Sequence, residues 1–513
     1  MADYVTSWTP WLVTAIVLPL ASFVILSNVR NRLRRLPPGP PVVPVLGNLV
    51  WFTITSNMHL METLRRMHER YGPVVALRFG SDLVIDISDR RLAHAVLVQS
   101  GAAVADRPFL ASLDLLGHNN ALTITSSNYD AHWRLLRRNF VAKMAQPAQL
   151  QLFSPAREWA LADLTDKLRC RKINGGDAIL AMFYHTMMCI LVAMCFGEWL
   201  DEGAVRELKA ALHELMIYSI TNLWVFDFVP SISTRFFSGR RRQMDAYRRR
   251  LKGIYLPLIN ARRERRKGLR EDSPTTFQLS YVDTLLEIRL KDEGNRELTD
   301  DEISGLCSEF LSAGTDIPSS ALQWTMAELV KNPAIQNKLY SDIKAVTGGS
   351  GKVSPEDLHK LPYLKAVVLE SLRRHPPAHQ LLPHTAAEDV ELSGYVIPKG
   401  ATVNFMVVDF GLDKNVWDRP MEFVPERFLP GGDGELVDVT GTREIKMIPF
   451  GAGRRICPGI SVGSQHLEYL VANLVSAFEW REVKGMEVDF SEMFEFSAVM
   501  KKPLEVNLVA RDE

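Results

Sequence analysis

Apolar positions in this chain fall into three patterns. The first is an unbroken run: Trp8 to Leu26 is almost wholly apolar, long enough for one helix to cross a bilayer, with Trp8 and Trp11 toward one interface. The second is short and bounded by turn residues. Val74-Val75-Ala76-Leu77-Arg78-Phe79 and Leu83-Val84-Ile85-Asp86-Ile87 flank Gly80-Ser81-Asp82 and predict a β-hairpin, and Val396 to Val403 around Pro398-Lys399-Gly400 predicts another. The third pattern has the period of a helix and dominates the remainder: Tyr129 to Phe140, Tyr363 to Arg374 and Ile460 to Phe478. Thr299-Asp300-Asp301-Glu302 is a capping box that opens a long helix through Leu306, Phe310, Leu322 and Leu329. Pro318 falls inside it; with no N–H for the Gly314 carbonyl and a ring that pushes that carbonyl aside, it predicts a kink at Gly314. Ser354-Pro355-Glu356-Asp357 starts a short helix, His375-Pro376-Pro377 stops the Tyr363 to Arg374 helix, and Phe494 to Met500 reads as a last turn.

The flanks of the apolar run decide how it is read. Only Asp3 precedes it, whereas Arg30, Arg32, Arg34 and Arg35 follow, which favours a retained anchor over a cleaved signal and puts the following chain in the cytosol. Leu36-Pro37-Pro38-Gly39-Pro40-Pro41-Val42-Val43-Pro44 is an extended, semi-rigid spacer. No repeat or low-complexity block follows, so the expected division is an anchor over 1–29, a basic and proline-rich hinge over 30–45, and one continuous domain over 46–513. Within it, Gly101 to Ser127 is a long irregular stretch of the kind that is either functional or disordered. Lys+Arg and Asp+Glu balance at 60 each, so net charge suggests no nucleic-acid partner. The arginine-rich run Arg240 to Lys267 reads as a solvated helix face, with contact to anionic lipid or an acidic redox partner as the other reading. Five cysteines without paired spacing argue against a disulfide framework or zinc site; Cys170, Cys189, Cys195 and Cys307 lie in apolar helical contexts and are expected in the core.

Cys457 differs. It lies in Pro449-Phe450-Gly451-Ala452-Gly453-Arg454-Arg455-Ile456-Cys457-Pro458-Gly459, whose glycines let backbone N–H groups approach the sulfur, while Arg454 and Arg455 favour its ionised form. That is the environment of a metal-bound thiolate. The spacing Phe450-x-x-Gly453-x-Arg455-x-Cys457-x-Gly459 resembles the cysteine-ligand loop of the cytochrome P-450 family, with every signature position filled. Other segments carry the same resemblance. Trp133 and Arg137, one turn apart, match a Trp-x-x-x-Arg pair that binds a haem propionate; Ala313-Gly314-Thr315-Asp316 resembles the oxygen-binding segment; Glu370-x-x-Arg373 and Pro425-Glu426-Arg427-Phe428 match a Glu-Arg-Arg network; and His384 stands where the family places a propionate donor. The anchor, basic residues and hinge follow the order of microsomal members, and the wording of the motifs looks most like plant ones. The chain departs at Ile317, where the family normally has threonine.

The resemblance implies a mainly α, haem-thiolate fold with small β-sheets, preceded by one transmembrane helix and facing the cytosol from the endoplasmic reticulum membrane. It implies haem b with Cys457 as axial ligand; Arg455, Trp133, Arg137 and His384 at the propionates; Phe450 and Gly314 against the cofactor; and Asp316 as the remaining proton relay. The implied reaction inserts one oxygen atom of dioxygen into a small, lipophilic organic substrate, with electrons from NADPH through a flavoprotein reductase. Ile317 keeps a second reading open, an isomerase or dehydratase on the same fold that does not activate dioxygen, and a third is a non-catalytic haem-binding protein.

Overall fold

The computed structural model describes residues 31–44, 46–54, 60–80, 82–109, 123–170, 176–222, 225–228, 236–268, 277–349, 351–495 and 497–511, with isolated positions 22, 26, 29 and 112. The anchor expected over 1–29 therefore falls almost wholly outside the described residues, as does much of the irregular stretch before Thr123. Helices dominate, with small sheets. The chain divides into two compact units, one formed by Met1–Pro108, His379–Phe410 and Thr440–Arg454, the other by Phe109–Ala378, Gly411–Val439 and Arg455–Glu513.

The first unit is built on a four-stranded sheet. Val74–Phe79 pairs antiparallel with Asp82–Ile87, the predicted hairpin. Thr402–Phe405 adds alongside Asp82–Ile87 in parallel, and His384–Thr385 closes the other edge. Alternation sorts the side chains: Ile85, Ile87, Val403 and Phe405 enter one apolar cluster, while Val75, Leu77 and Met406 pack with Leu64 and Met67 of the Leu60–Tyr71 helix. The second predicted hairpin does not form. Tyr395–Ile397 turns back onto Val390–Leu392 through Ser393 and Gly394, and Thr402–Phe405 belongs to the larger sheet. Pro398-Lys399-Gly400 thus joins two sheets and is not the turn of a hairpin.

The second unit is helical around Gly176–Phe196 and Asp300–Lys331, which pack on each other and on Ser154–Cys170 and Ile460–Ala477. Ile179–Phe196 is, among the described residues, the one span long and apolar enough to cross a membrane, yet most of it is buried inside the protein. It is apolar over most of its circumference because most of that circumference is packed against the protein. Cys189, Cys195 and Cys307 lie in this core as expected; Cys170, at the end of its helix, is exposed and is not a core residue. The Thr299 capping box forms: Thr299 Oγ1 accepts from the Glu302 N–H at 3.3 Å, and the Glu302 carboxylate accepts from the Thr299 N–H at 2.6 Å. The α-helix then continues through Pro318 to Lys331, so the bond missing at the Gly314 carbonyl does not end it. After Ser354 the chain makes only a short 3-10 turn, Leu358–Lys360. The last turn expected from Phe494 to Met500 is a small hairpin, Glu492–Phe494 on Ala498–Met500.

Glu370 and Arg373 form a buried pair rather than a surface one. Arg373 donates Nε to Glu370 Oε2 at 2.6 Å and Nη2 to Oε1 at 2.8 Å, and Arg427 Nε reaches Oε1 at 3.2 Å. The Val424 N–H also donates to Oε1, at 2.8 Å. Arg373 and Arg427 place further N–H groups on the carbonyls of Gly411 and Arg419, so both cations are used on several sides.

Candidate active site

Cys457 follows the short 3-10 turn Gly453–Arg455 and precedes the Ile460–Ala477 helix, whose N-cap is Gly459. Burial pushes the Cys457 thiol up, while the Gly459 N–H bonded to the sulfur and the nearby Arg137 guanidinium act the other way. The cation that acts on the sulfur is thus Arg137, whereas the loop sequence points to Arg454 and Arg455. The reason is direction: Arg455 donates Nη1 to the Ile124 carbonyl at 3.2 Å and Nη2 to the Ser127 carbonyl, with its guanidinium 4.6 Å from the centre of the Trp133 ring. Arg137 lies 5.2 Å from the same ring and donates to the Ile456 carbonyl. The Trp133 indole N–H donates to the Ile124 carbonyl at 2.9 Å.

Trp133, Arg137 and Arg455 are therefore brought together, on the Ala131–Lys143 helix and the cysteine loop. Sequence reasoning missed what holds their acceptors in place. Glu309 of the central helix accepts the backbone N–H groups of Ile124 and Thr125, at 3.1 and 2.5 Å, and so fixes the segment that receives Trp133 and Arg455. An acidic residue between Leu306 and Phe310 on a helix otherwise apolar there was the available signal.

In the other unit, His384 is buried and its Nδ1 donates to the Val104 carbonyl at 2.8 Å. With Nδ1 committed, His384 donates through Nε2 as well only as an imidazolium. Phe450 is half-buried. Gly453 has φ of +71°, and a Cβ there would stand 1.9 Å from the Leu97 carbonyl oxygen, so the loop's glycine is required by a backbone approach.

On the central helix Gly314 faces its helical neighbour: a Cβ would meet Leu191 Cδ1 at 2.8 Å. Ala313 is exposed and Ile317, one turn on, half-buried. The hydroxyls around Pro318 are committed. Thr315 is turned to Met188 Sδ at 3.9 Å, Ser319 donates to the Thr315 carbonyl at 2.7 Å, and Ser320 donates to the Ala498 carbonyl at 2.7 Å. Asp316 is the exception, a carboxyl pushed up to about 7 by burial first, with Lys209 opposing the shift and Glu495 adding to it. Lys209 lies 5.1 Å from the Tyr184 ring centre and donates to the Ala181 carbonyl at 3.4 Å. Neither Lys209 nor Glu495 is readable from the sequence, because each meets Asp316 only through tertiary packing.

A half-buried cysteine whose sulfur has an N–H and a guanidinium beside it, and a Trp133, Arg137 and Arg455 group whose donors rest on neutral carbonyls, is a donor set that fits a metal-bound thiolate and the carboxylates of a porphyrin. Such a set defines a haem-thiolate protein. The family model for Cytochrome P450 matches residues 37–509, and the chain belongs to that family. It is 41% identical to cytochrome P450 89A9 of Arabidopsis thaliana over 93% of this chain and 94% of the relative. It is 33% identical to a flavonoid 3'-monooxygenase of the same plant (92% and 91% covered) and 31% identical to ent-cassadiene C11-alpha-hydroxylase 1 of Oryza sativa subsp. japonica (95% and 96% covered). The protein is a cytochrome P450 monooxygenase whose cofactor is haem with a cysteine thiolate ligand.

Proposed function

We propose that Cys457 is the axial ligand and that the enzyme, one catalytic domain over 46–513 held to the endoplasmic reticulum membrane by residues 1–29, oxygenates a small lipophilic substrate with NADPH-derived electrons from a flavoprotein reductase. The observation that carries this is the Cys457 loop: one half-buried cysteine whose sulfur receives an N–H bond, with Arg137 beside it. Bound haem supplies the dioxygen-activating chemistry, and a thiolate ligand is the trait by which this family pushes electron density toward O–O cleavage. Because burial favours the neutral thiol, metal binding at Cys457 is accompanied by release of its proton. Arg137, Arg455 and Trp133 would hold propionate oxygens through their N–H groups, and His384 would be a further propionate donor. Phe450 would line the cofactor's surroundings, and Gly314 would do so only through its backbone, since its side-chain position is turned to Leu191. Asp316 moves the proton: near neutral pH it is poised between acid and base, and the adjacent serine and threonine hydroxyls are occupied elsewhere.

The test is the reduced, carbon monoxide-bound spectrum. Wild type is expected to give the red-shifted Soret band of thiolate ligation and Cys457→Ala to lose it; retention of that band by the variant overturns the assignment. Ile317 supports a second reading, rearrangement of an already oxidised substrate without dioxygen. Turnover of a hydroperoxide or epoxide with no NADPH-dependent oxygen uptake would select it.

A further inference from the structure

Polar side chains form a stripe down one face of the Ile460–Ala477 helix, with His466, Tyr469, Asn473 and Ser476 at helical spacing. All four are buried. The C-terminal half of the stripe is met by chain. Asn473 accepts the Val353 N–H at 3.0 Å and donates to the Val353 carbonyl at 3.1 Å, and Ser476 donates to the Gly351 carbonyl at 2.6 Å. The N-terminal half is not. Both ring nitrogens of His466 and the Tyr469 hydroxyl are without a partner in the protein, although each residue is 0% exposed.

The residue set against this half is Arg157, on the Ser154–Cys170 helix, which packs on Ile460–Ala477. Its charge acts on His466 and on Tyr469, and it too is 0% exposed. Nη1 donates to the Leu150 carbonyl and Nη2 to Ser154 Oγ, each at 2.8 Å, while Nε has no partner. Glu158 and Glu356 act on Arg157 through Coulomb attraction alone. Both are exposed and bonded elsewhere, Glu158 to Lys352 at 3.0 Å and Glu356 to Gln151 at 2.7 Å. Among the described residues, no carboxylate makes an ion pair with this guanidinium, and a buried charge left so is costly. The side chains opposite cannot supply the missing charge. Burial keeps the His466 imidazole neutral, its pKa pushed down to about 3, and the Tyr469 phenol protonated, pushed up to about 12.

A water molecule could bond these groups but would leave the cation uncompensated. An anion does both, because the Arg157 Nε–H, the Tyr469 O–H and one His466 N–H are all donors. One guanidinium sets the charge, and burial between two packed helices limits the size. We propose that Arg157, His466 and Tyr469 form a buried site for a small monovalent inorganic anion of the size of chloride, which ties the Ser154–Cys170 helix to the helix that follows Cys457. The site does not depend on the cofactor reading above.

Thermal unfolding of the holoprotein tests it, followed by circular dichroism while chloride replaces gluconate, an anion too bulky for such a site, at constant ionic strength. With screening held fixed, the midpoint should rise by about 1–3 °C for each tenfold increase in chloride once the site is half filled. Tyr469→Phe removes one donor and should raise the half-saturating chloride concentration about tenfold. Arg157→Met removes the charge, and its midpoint should be the same in both salts. A wild-type midpoint indifferent to the exchange, or an undiminished chloride response in Arg157→Met, overturns the proposal. Crystals of the holoprotein soaked in bromide give a readout that needs no unfolding. An anomalous peak within hydrogen-bond reach of Arg157 Nε supports the site, and an ordered water there without anomalous signal overturns it. If Arg157→Met does not fold, the bromide peak and Tyr469→Phe decide the matter.

Discussion

Asp316 and Ile317 stand side by side, and the function proposed above makes one task of them. In this family a threonine hydroxyl in the position of Ile317 would order water, and isoleucine has no hydroxyl to offer. Under that proposal the load falls on a carboxyl that burial has pushed up to about 7, so it is largely the proton-carrying acid below that pH and the carboxylate above it. If Asp316 delivers the proton, product formed per NADPH should fall as pH rises through about 7, and Asp316→Asn should lower turnover by about a hundredfold, the lower end of general-acid effects, and flatten that profile. Ile317→Thr should raise product per NADPH and lower peroxide, assayed together; no change in either measure would mean another donor already serves. His68 offers a second titration with a different sign of consequence. Burial, individually the largest influence, lowers its pKa, but the hydrogen bond and Coulomb attraction to Asp86 together prevail and hold the folded imidazole above its ordinary value of 6.5. The folded state therefore binds that proton more tightly than the unfolded chain. Its stabilisation is complete below about pH 6.5 and is lost as pH rises through the higher folded value. The gap in Tm between wild type and His68→Gln should be widest near pH 6 and narrow toward pH 9; a gap that widens with pH would refute the imidazolium.

Elements were legible where local chemistry decides them and obscure where pairing does. The capping box at Thr299 could be read residue by residue because its bonds span only three positions. The Val396 to Val403 stretch could not, since whether a strand turns back or joins another sheet depends on partners at Val390 and Ile85, far from the turn itself. The Trp133, Arg137 and Arg455 group was legible through its motifs, but its acceptors at Ile124 and Ser127, and Glu309 behind them, were not. The Glu370 network shows the same division, with the residues readable and the burial supplied by packing. Glu370 balances Arg373 and Arg427 where all three are nearly inaccessible. Removing the negative member strands two cations, so Glu370→Gln should cost about 3–5 kcal/mol and reduce the yield of folded holoprotein, whereas a surface pair would cost little. Denaturant midpoint and haem content measure this. Full haem content and an unchanged midpoint, with turnover alone lost, would make the network catalytic instead.

At the scale of the molecule the question is which surface meets the membrane. Ile179–Phe196 is apolar enough to span a bilayer but is buried among other helices, so inserting it would dismantle the core of its unit. Exposed large apolar side chains elsewhere in that unit include Phe236 at 78% and Ile220 at 43%, near the start of the arginine-rich Ser238–Arg266 helix. Several of those arginines already have carboxylates, Arg250 on Glu214 at 2.9 Å and Arg263 on Asp300 at 2.6 Å, which fits a solvated face more than a lipid-binding one. The attachment proposed above therefore rests on Trp8 through Leu26, whose unbroken apolar run has the length a bilayer requires. Deleting Met1 to Asn28 should leave the carbon monoxide spectrum of the reduced protein unchanged while the protein moves from the membrane pellet to the supernatant after high-speed centrifugation. Partial retention that disappears in high salt would point to the arginine-rich helix, because screening weakens charge attraction to anionic lipid. Retention that survives salt but is lost on Phe236→Ser would place the second contact at the apolar residues beside it, and undiminished binding to membranes by the truncated protein in both conditions would refute the anchor.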